Sequence, residues 1–366
     1  MHIHQKKSWP AFTWDHQMIS FLLASVRYKQ GKLVGRMESL SFSLQDEAVL
    51  QTLTLDAVKS NEIEGQILNA DQVRSSIARR LGMDIGMLTP ADRHVEGVVE
   101  MLLDATQHYQ EALSEERLFG WHAALFPTGR NGMFKITIGN WRDSSGSPMQ
   151  VVSGAMGREK VHFEAPDSDR LPEEMSRFIS WFNAKSDLDL VIKAAIAHLW
   201  FVTIHPFDDG NGRIARPIAD MLLARSDESA QRFYSMSAQI QQKRKHYYDI
   251  LEKTQKGNLD ITEWLEWFLY CLDGALEATE TTLNAVLNKA KYWKLFAEKN
   301  INDRQKIMLS KLLDGFEGKL NTSKWAKIAK TSSDTALRDI QNLVEQGVLE
   351  KENSGGRSTS YRLVGL

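Results

Sequence analysis

The chain has 366 residues, 42% hydrophobic and 25% charged, with a net charge of −2. That composition belongs to a globular protein with room for two or three domains. The charge does not mark the whole molecule as a polyanion binder. Cys271 is the single cysteine, so no internal disulfide can form, and a reducing compartment is expected.

The first residues, Met1 to Pro10, lack the apolar core of a signal peptide, and no apolar run is long enough to span a bilayer. The expected location is the cytoplasm, with no membrane partner. His2 and His4 read as a solvated strand or tail, and the aromatic stretch Trp9 to Trp14 as packed on the body. Helical patterns follow over about 16–40 and 44–61, with Ser43 and Asp46 as candidate caps for the second. This second helix runs out in Ser60, Glu64 and Gly65, where Gly65 reads as the residue just past a polar helix end. Asn69 to Gly82 reads as a helix with Asp71 at its start and Arg79-Arg80 at its end, matching the macrodipole. Pro90 opens further helices over about 91–110 and 111–126. Pro127 to Gly132 is a turn cluster. Phe134 to Trp141 and Met149 to Val152 are β-like runs that read as the arms of one hairpin. Pro166 to Pro172 is a linker, and 171–183 is amphipathic.

The stretch His205-Pro-Phe-Asp-Asp-Gly-Asn-Gly-Arg-Ile-Ala-Arg216 carries the chemistry. An apolar run over 188–204 reads as a buried helix that stops before Pro206, because the residue preceding proline is pushed out of the α region. Gly210, Asn211 and Gly212 then open a second helix. Small residues at a helix start leave backbone N–H groups free for one anion. Arg213 and Arg216 are three apart and suit phosphate oxygens. Asp209 supplies one hard oxygen ligand of the kind Mg²⁺ shares with substrate phosphates. His205 is a base that titrates near neutral pH. A phosphate cradle, a metal carboxylate and a general base within twelve residues describe a nucleotide-using transferase. A P-loop is excluded, since no G-x-x-x-x-G-K-[ST] occurs. Pro217 removes one i→i−4 bond from the second helix, and His198 reads as a core residue.

Beyond it, Tyr247, Tyr248 and Gln255 lie on one helical pattern, and 258–276 reads as a closing core helix with another leading away over 281–299. Residues 303–366 read as helix, turn, helix and short hairpin, resembling a winged helix-turn-helix. From Lys291 onward basic residues exceed acidic ones by about 5, a weak nucleic-acid footprint. DNA binding and protein binding both stay open for this module.

The central stretch resembles the Fic family signature, H-x-F-x-[DE]-G-N-G-R-x-x-R, at every fixed position. The resemblance implies a mainly α fold: a Fic/Doc-like helical bundle with a β-hairpin flap. It implies a protein adenylyltransferase that moves AMP from ATP, with Mg²⁺, to a Ser, Thr or Tyr hydroxyl of a target protein or of itself. In that reading His205 is the base. Asp209 holds the metal. Gly210, Asn211, Gly212, Arg213 and Arg216 handle phosphates, and Tyr247, Tyr248 and Gln255 form the adenosine wall. Val151, Val152, Ser153 and Gly154 lie against the nucleotide. Ser60-x-x-x-Glu64-Gly65 resembles the family's inhibitory motif, in which Glu64 pairs with Arg216 and blocks the γ-phosphate; Glu62 is the neighbour it must be told from. Residues 134–154 resemble the flap that pairs with the target segment, an ordinary surface hairpin being the alternative. A homodimer follows family habit. Relatives on this scaffold move other groups or remove AMP, and a DNA-binding regulator with a nucleotide-sensing Fic unit is a further alternative. The expected division is 1–90, an N-terminal helical region with the inhibitory helix; 91–278, the catalytic domain; and 291–366, the winged-helix-like module.

Overall fold

The computed structural model describes residues 2–86, 88–143, 148–153, 160–313, 315–316, 318–352 and 359–365, with the side chains of 281, 282, 285, 286 and 290 excepted. The chain divides into two compact units, Met1–Glu280 and Thr281–Leu366. Residues 1–90 and 91–278, read separately in the sequence, thus pack into one unit.

In the first unit α1 (His16–Glu38) is capped by Asp15, whose carboxylate accepts from Met18 N. α2 (Phe42–Ile63) starts two residues before its sequence reading. Neither Ser43 nor Asp46 caps it: Ser41 stands at the N-cap, and its hydroxyl and that of Ser43 bond each other at 3.3 Å. Its C-terminus closes as expected. Gly65 adopts φ +78°, Gln66 N bonds Asn61 O at 3.0 Å and Gly65 N bonds Glu62 O at 3.0 Å, the paired bonds of a Schellman end. α3 (Ala70–Arg80), α4 (Arg93–Gln107) and α5 (Glu115–Leu125) follow, capped by Asn69, Asp92 and Ser114. Asn69 stands at its sequence boundary, while Asp92 and Ser114 lie past the boundaries at 91 and 111, because a side-chain oxygen decides the first turn.

The hairpin reading needs correction. β1 (Arg130–Asn131) pairs with β2 (Phe134–Lys135), and β3 (Gln150–Ser153) pairs antiparallel with β4 (Lys160–Glu164). Phe134 to Trp141 therefore does not pair with Met149 to Val152. Instead Thr137 N bonds the Asp208 carboxylate at 2.9 Å and Arg142 N bonds Pro206 O at 2.9 Å, so this run is spent on the loop after His205. His2 and His4 are also not a solvated tail. They pack edge-on to Phe163 of β4, and His4 Nε2 bonds Glu164 O at 2.9 Å.

α6 (Leu171–Asn183) leads to α7 (Leu190–Ile204), in which every residue from Val191 to Ile204 is buried. A helix apolar on all sides must sit at the centre of its unit. α8 (Asn211–Asp227) packs along it, and α2, α4 and α5 in turn contact α8. Pro217 lies inside α8 without ending it. α9 (Met236–Gln242) and α10 (Arg244–Gln255) complete the wall beside α2 and β4. The two helices expected over 258–276 and 281–299 are one, α11 (Thr262–Phe296).

The second unit holds α12 (Asp303–Leu313), α13 (Thr322–Ile328), α14 (Ser333–Glu345) and the antiparallel pair β5 (Leu349–Lys351) and β6 (Tyr361–Leu363). Its core gathers Met308, Leu309, Trp325, Ile340, Leu343 and Leu363. Ser332 caps α14 as expected, but Asn321, not Thr322 or Ser323, caps α13. Among the described residues no helix is long and apolar enough to cross a membrane.

Candidate active site

α7 stops because His205, ahead of Pro206, cannot stay in the right-handed region; it takes φ +53°, ψ +57° instead of the extended form. A left-handed histidine needs outside support. Arg142 provides it: Nε bonds His205 O at 2.8 Å, Nη2 bonds Pro166 O at 2.5 Å, and its own N–H bonds Pro206 O. The imidazole Nδ1 lies 3.2 Å from Val202 O. A carbonyl only accepts, so Nδ1 carries the proton and Nε2 keeps a lone pair. Burial pushes the His205 pKa down to about 4, against the raising effect of the Val202 bond, so the ring is a neutral base at physiological pH.

The loop between α7 and α8 is fixed from within. Phe207 is fully buried and stacks on His122 with centroids 4.2 Å apart and 6° between planes. His122 Nε2 reaches Asp209 O at 3.2 Å. Burial also lowers the His122 pKa to about 4, which keeps it a neutral donor. The Asn211 side chain closes both ways on Phe207, accepting from its N–H at 3.0 Å and donating to its C=O at 2.8 Å. The Asn211 amide, expected at the phosphates, is thus tied to the loop through both its oxygen and its nitrogen. Gly210, at φ +81°, turns the chain into α8.

Arg213 is buried over the Phe126 ring, with Nη1 bonded to Gln66 Oε1 at 2.8 Å and Nη2 3.6 Å from Asp209; its Nε has no hydrogen-bond partner. Arg216 is held by α2: Nε to Ser60 Oγ at 2.8 Å, Nη2 to Ser60 O at 2.8 Å, and Nη1 to Glu64 Oε1 at 2.9 Å. Burial opposes its charge, but Glu64 together with Tyr247 and Tyr248 raises its pKa above the ordinary value. Glu62 instead pairs with Lys59, which resolves the choice between the two glutamates. Tyr248 donates to Glu64 Oε2 at 3.2 Å. Tyr247 is buried, bonded to His198 at 2.9 Å, so His198 is a core partner and Tyr247 is mainly wall.

These groups meet around a cavity of about 480 Å³ lined by Glu64, Val151, Val152, Ser153, His205, Gly212, Tyr247, Tyr248 and Gln255, among others. The size suits a small-molecule ligand. Gly154 lies outside the described residues. Asp209, beyond this lining, accepts from Asn131 Nδ2 at 2.5 Å and from Gly210 N at 2.5 Å. Sequence reading missed His122 and Gln66, and took Arg142 for a flap residue. All three act through partners more than 20 positions away, and no local pattern marks them.

Residues 112–223 match the Fic/DOC family model, and residues 2–83 match a domain of unknown function, DUF4172. The chain thus carries a Fic/DOC-family domain, with His205 to Arg216 inside the matched residues. It is 35% identical over 285 residues to a protein adenylyltransferase Fic of Drosophila willistoni, covering 72% of this chain and 56% of that one. It is 35% identical over 220 residues to a protein adenylyltransferase Fic of Aedes aegypti, covering 59% and 39%. The chain spans only about a quarter to about half of the length of such relatives. A crystal structure of a Fic family protein from Desulfovibrio desulfuricans G20 superposes over 98% of both chains, with TM-score 0.55 and 22% identity.

Proposed function

We propose that this protein is an adenylyltransferase that moves AMP from ATP to a protein hydroxyl and is held back by Glu64. The observation that carries the reading is the shared cavity: the free Nε2 of His205, the glycine-led start of α8, and a Glu64 carboxylate bonded to the arginine a phosphate would need. The acceptor hydroxyl gives its proton to His205 Nε2 as its oxygen attacks the α-phosphorus in line, and pyrophosphate leaves. Backbone N–H groups at the start of α8, with Arg213, hold the phosphates. Arg216 joins them once Glu64 moves aside. Tyr248 and Gln255 border the nucleoside.

Mg²⁺ fits this donor set. Among the described residues no trio of His, Cys, Asp or Glu forms a metal cage, and Asp209 offers one half-exposed carboxylate. One carboxylate plus substrate phosphates is how Mg²⁺ is commonly held, and it would spread the charge of the leaving pyrophosphate. Asp209 would have to exchange its bonds from Asn131 and Gly210 N for the ion.

The target segment is proposed to dock on β3. β3 pairs with β4 on one edge, and among the described residues its other edge has no strand partner, a template for strand addition. A homodimer, a cytoplasmic location and a winged-helix role for the second unit, in DNA or protein binding, belong to the same proposal.

Intact mass spectrometry tests the activity. Wild type, Glu64→Gly and Glu64→Gly/His205→Ala are incubated with Mg²⁺ and ATP. More added AMP is expected on Glu64→Gly than on wild type or on the double variant. An equal gain on the double variant removes His205 as the base. Equal gains on wild type and Glu64→Gly remove the brake.

A further inference from the structure

The cavity wall holds a second chain of proton-transfer groups that the reaction above does not use. Ser153 Oγ, at the end of β3, lies 2.6 Å from His162 Nε2 on β4. His162 Nδ1 lies 2.5 Å from Glu252 Oε2 on α10. All three residues line the same cavity as His205 and Gly212.

The direction of the hydrogen bonds follows from the acceptor at the far end. Lys256 is bonded to Glu252 Oε1 at 2.6 Å and His162 to Oε2, and together they hold the carboxylate's pKa down to about 2. Glu252 is therefore an acceptor. His162 donates from Nδ1 to that carboxylate, which places Nε2 against the Ser153 hydroxyl as the ring atom able to accept its proton. Serine, imidazole and carboxylate in that order, at hydrogen-bond distance, are the arrangement that activates a serine nucleophile. A clasp meant only to tie β3 and β4 to α10 needs the His162–Glu252 bond but not an exposed hydroxyl at its head.

We propose that Ser153 is an internal acceptor of the nucleotidyl group, deprotonated by His162 and not by His205. Ser153 Oγ forms a bond to the α-phosphorus of the nucleotide bound in the cavity. The bond from that phosphorus to the bridging oxygen breaks, and pyrophosphate leaves with the electron pair. The serine proton passes to His162 Nε2 and then to solvent. The product is a phosphodiester on β3, next to the edge proposed for target docking. This rests on the nucleotidyl-transfer reading of the cavity.

The test is peptide mapping of the full chain, wild type and Glu64→Gly, after incubation with Mg²⁺ and ATP. AMP on the peptide containing Ser153 is expected. It is lost in Ser153→Ala, retained in Ser153→Thr, and formed roughly 10-fold or more slowly in His162→Gln and Glu252→Gln. The modification on Ser153 should also persist in Glu64→Gly/His205→Ala. A fluorophosphonate probe, which needs no nucleotide, should label Ser153 in wild type and not in His162→Gln. AMP on other residues with Ser153 bare overturns this acceptor and leaves the proposed activity standing. AMP on neither the chain nor any other protein overturns both. Equal probe labelling in wild type and His162→Gln overturns activation by His162.

Discussion

Glu64 Oε1 sits 2.9 Å from Arg216 Nη1, and Ser60, one helical turn earlier on α2, takes the same guanidinium through Nε and Nη2. One helix end thus takes a buried arginine of α8 through two hydrogen bonds and one ion pair. Glu64→Gly removes the ion pair from a buried guanidinium and leaves its charge less compensated, which destabilises the fold. The variant should melt below wild type without nucleotide. Phosphate oxygens can then replace the carboxylate, and binding to the folded state alone raises stability. A thermal-shift series with Mg²⁺ and ATP should therefore raise the Tm of Glu64→Gly more than that of wild type. Identical shifts would mean that Glu64 does not compete with the ligand.

Gly212→Ala separates eviction of Glu64 from access for the phosphate. A Cβ at Gly212 would lie 2.5 Å from Glu64 Oε1 and 3.3 Å from Arg216 Nη1. Both are ends of flexible side chains, so the carboxylate can swing out. The lost ion pair is offset in part by about 0.5–1 kcal/mol for replacing a helical glycine with alanine. The new methyl then stands where backbone must approach a phosphate. Glu64→Gly should bind ATP tightly and Gly212→Ala weakly, although the ion pair is broken in both. Calorimetric titration of the two variants decides it; equal affinities would place the phosphates elsewhere.

What the sequence made legible is local. The break between α7 and α8 at His205 to Gly210, the Schellman end at Gly65 and the cap at Ser332 each depend on residues within a few positions, and these local features stand as read. The β3 partner was missed. Lys160 to Glu164 alternates like a strand, yet Phe134 to Trp141 carries the stronger apolar signal and lies nearer the turn cluster. Its backbone and that of Arg142 are captured by Asp208 and Pro206, which no strand propensity encodes. The same holds for Asn211. Composition marks it as a phosphate loop residue, and only the folded loop shows its amide closed on Phe207.

Arg142 should behave as a positioning residue. It does not line the cavity, but it holds the carbonyls on both sides of the His205–Pro206 bond. Arg142→Ala frees the left-handed histidine to relax, and a displacement of about 1 Å at a reacting group can lower the rate on the order of 10²-fold. The expected signature is a fall in kcat with an ATP dissociation constant close to wild type. Arg142→Lys should not restore the rate, because one ammonium cannot reach both His205 O and Pro166 O as a fork does. A loss of affinity equal to the loss of rate would make Arg142 a binding residue instead.

The buried histidines set how the protein tolerates acid. Burial lowers the pKa of His122 and His205 to about 4 and of His198 to about 3, against an ordinary value of 6.5. In the unfolded chain each takes up a proton near 6.5, while in the fold each stays neutral until the lower value. The unfolded state therefore binds more protons between about pH 6.5 and 4, and stability must fall as pH drops through that window. Fully developed, the effect is on the order of 3 kcal/mol per histidine. Denaturant titrations should show stability level above pH 7 and declining steadily from pH 6.5 towards 4. His198→Gln, which can keep a hydrogen bond to Tyr247, should start less stable at pH 7.5 and lose less on acidification. The pH–rate profile carries a second consequence of the same burial. The acid limb of kcat/KM, which reports the free enzyme, should lie well below 6.5. A limb at 6.5 would show that His205 is hydrated in solution, and that the closed packing around its ring is not the working state.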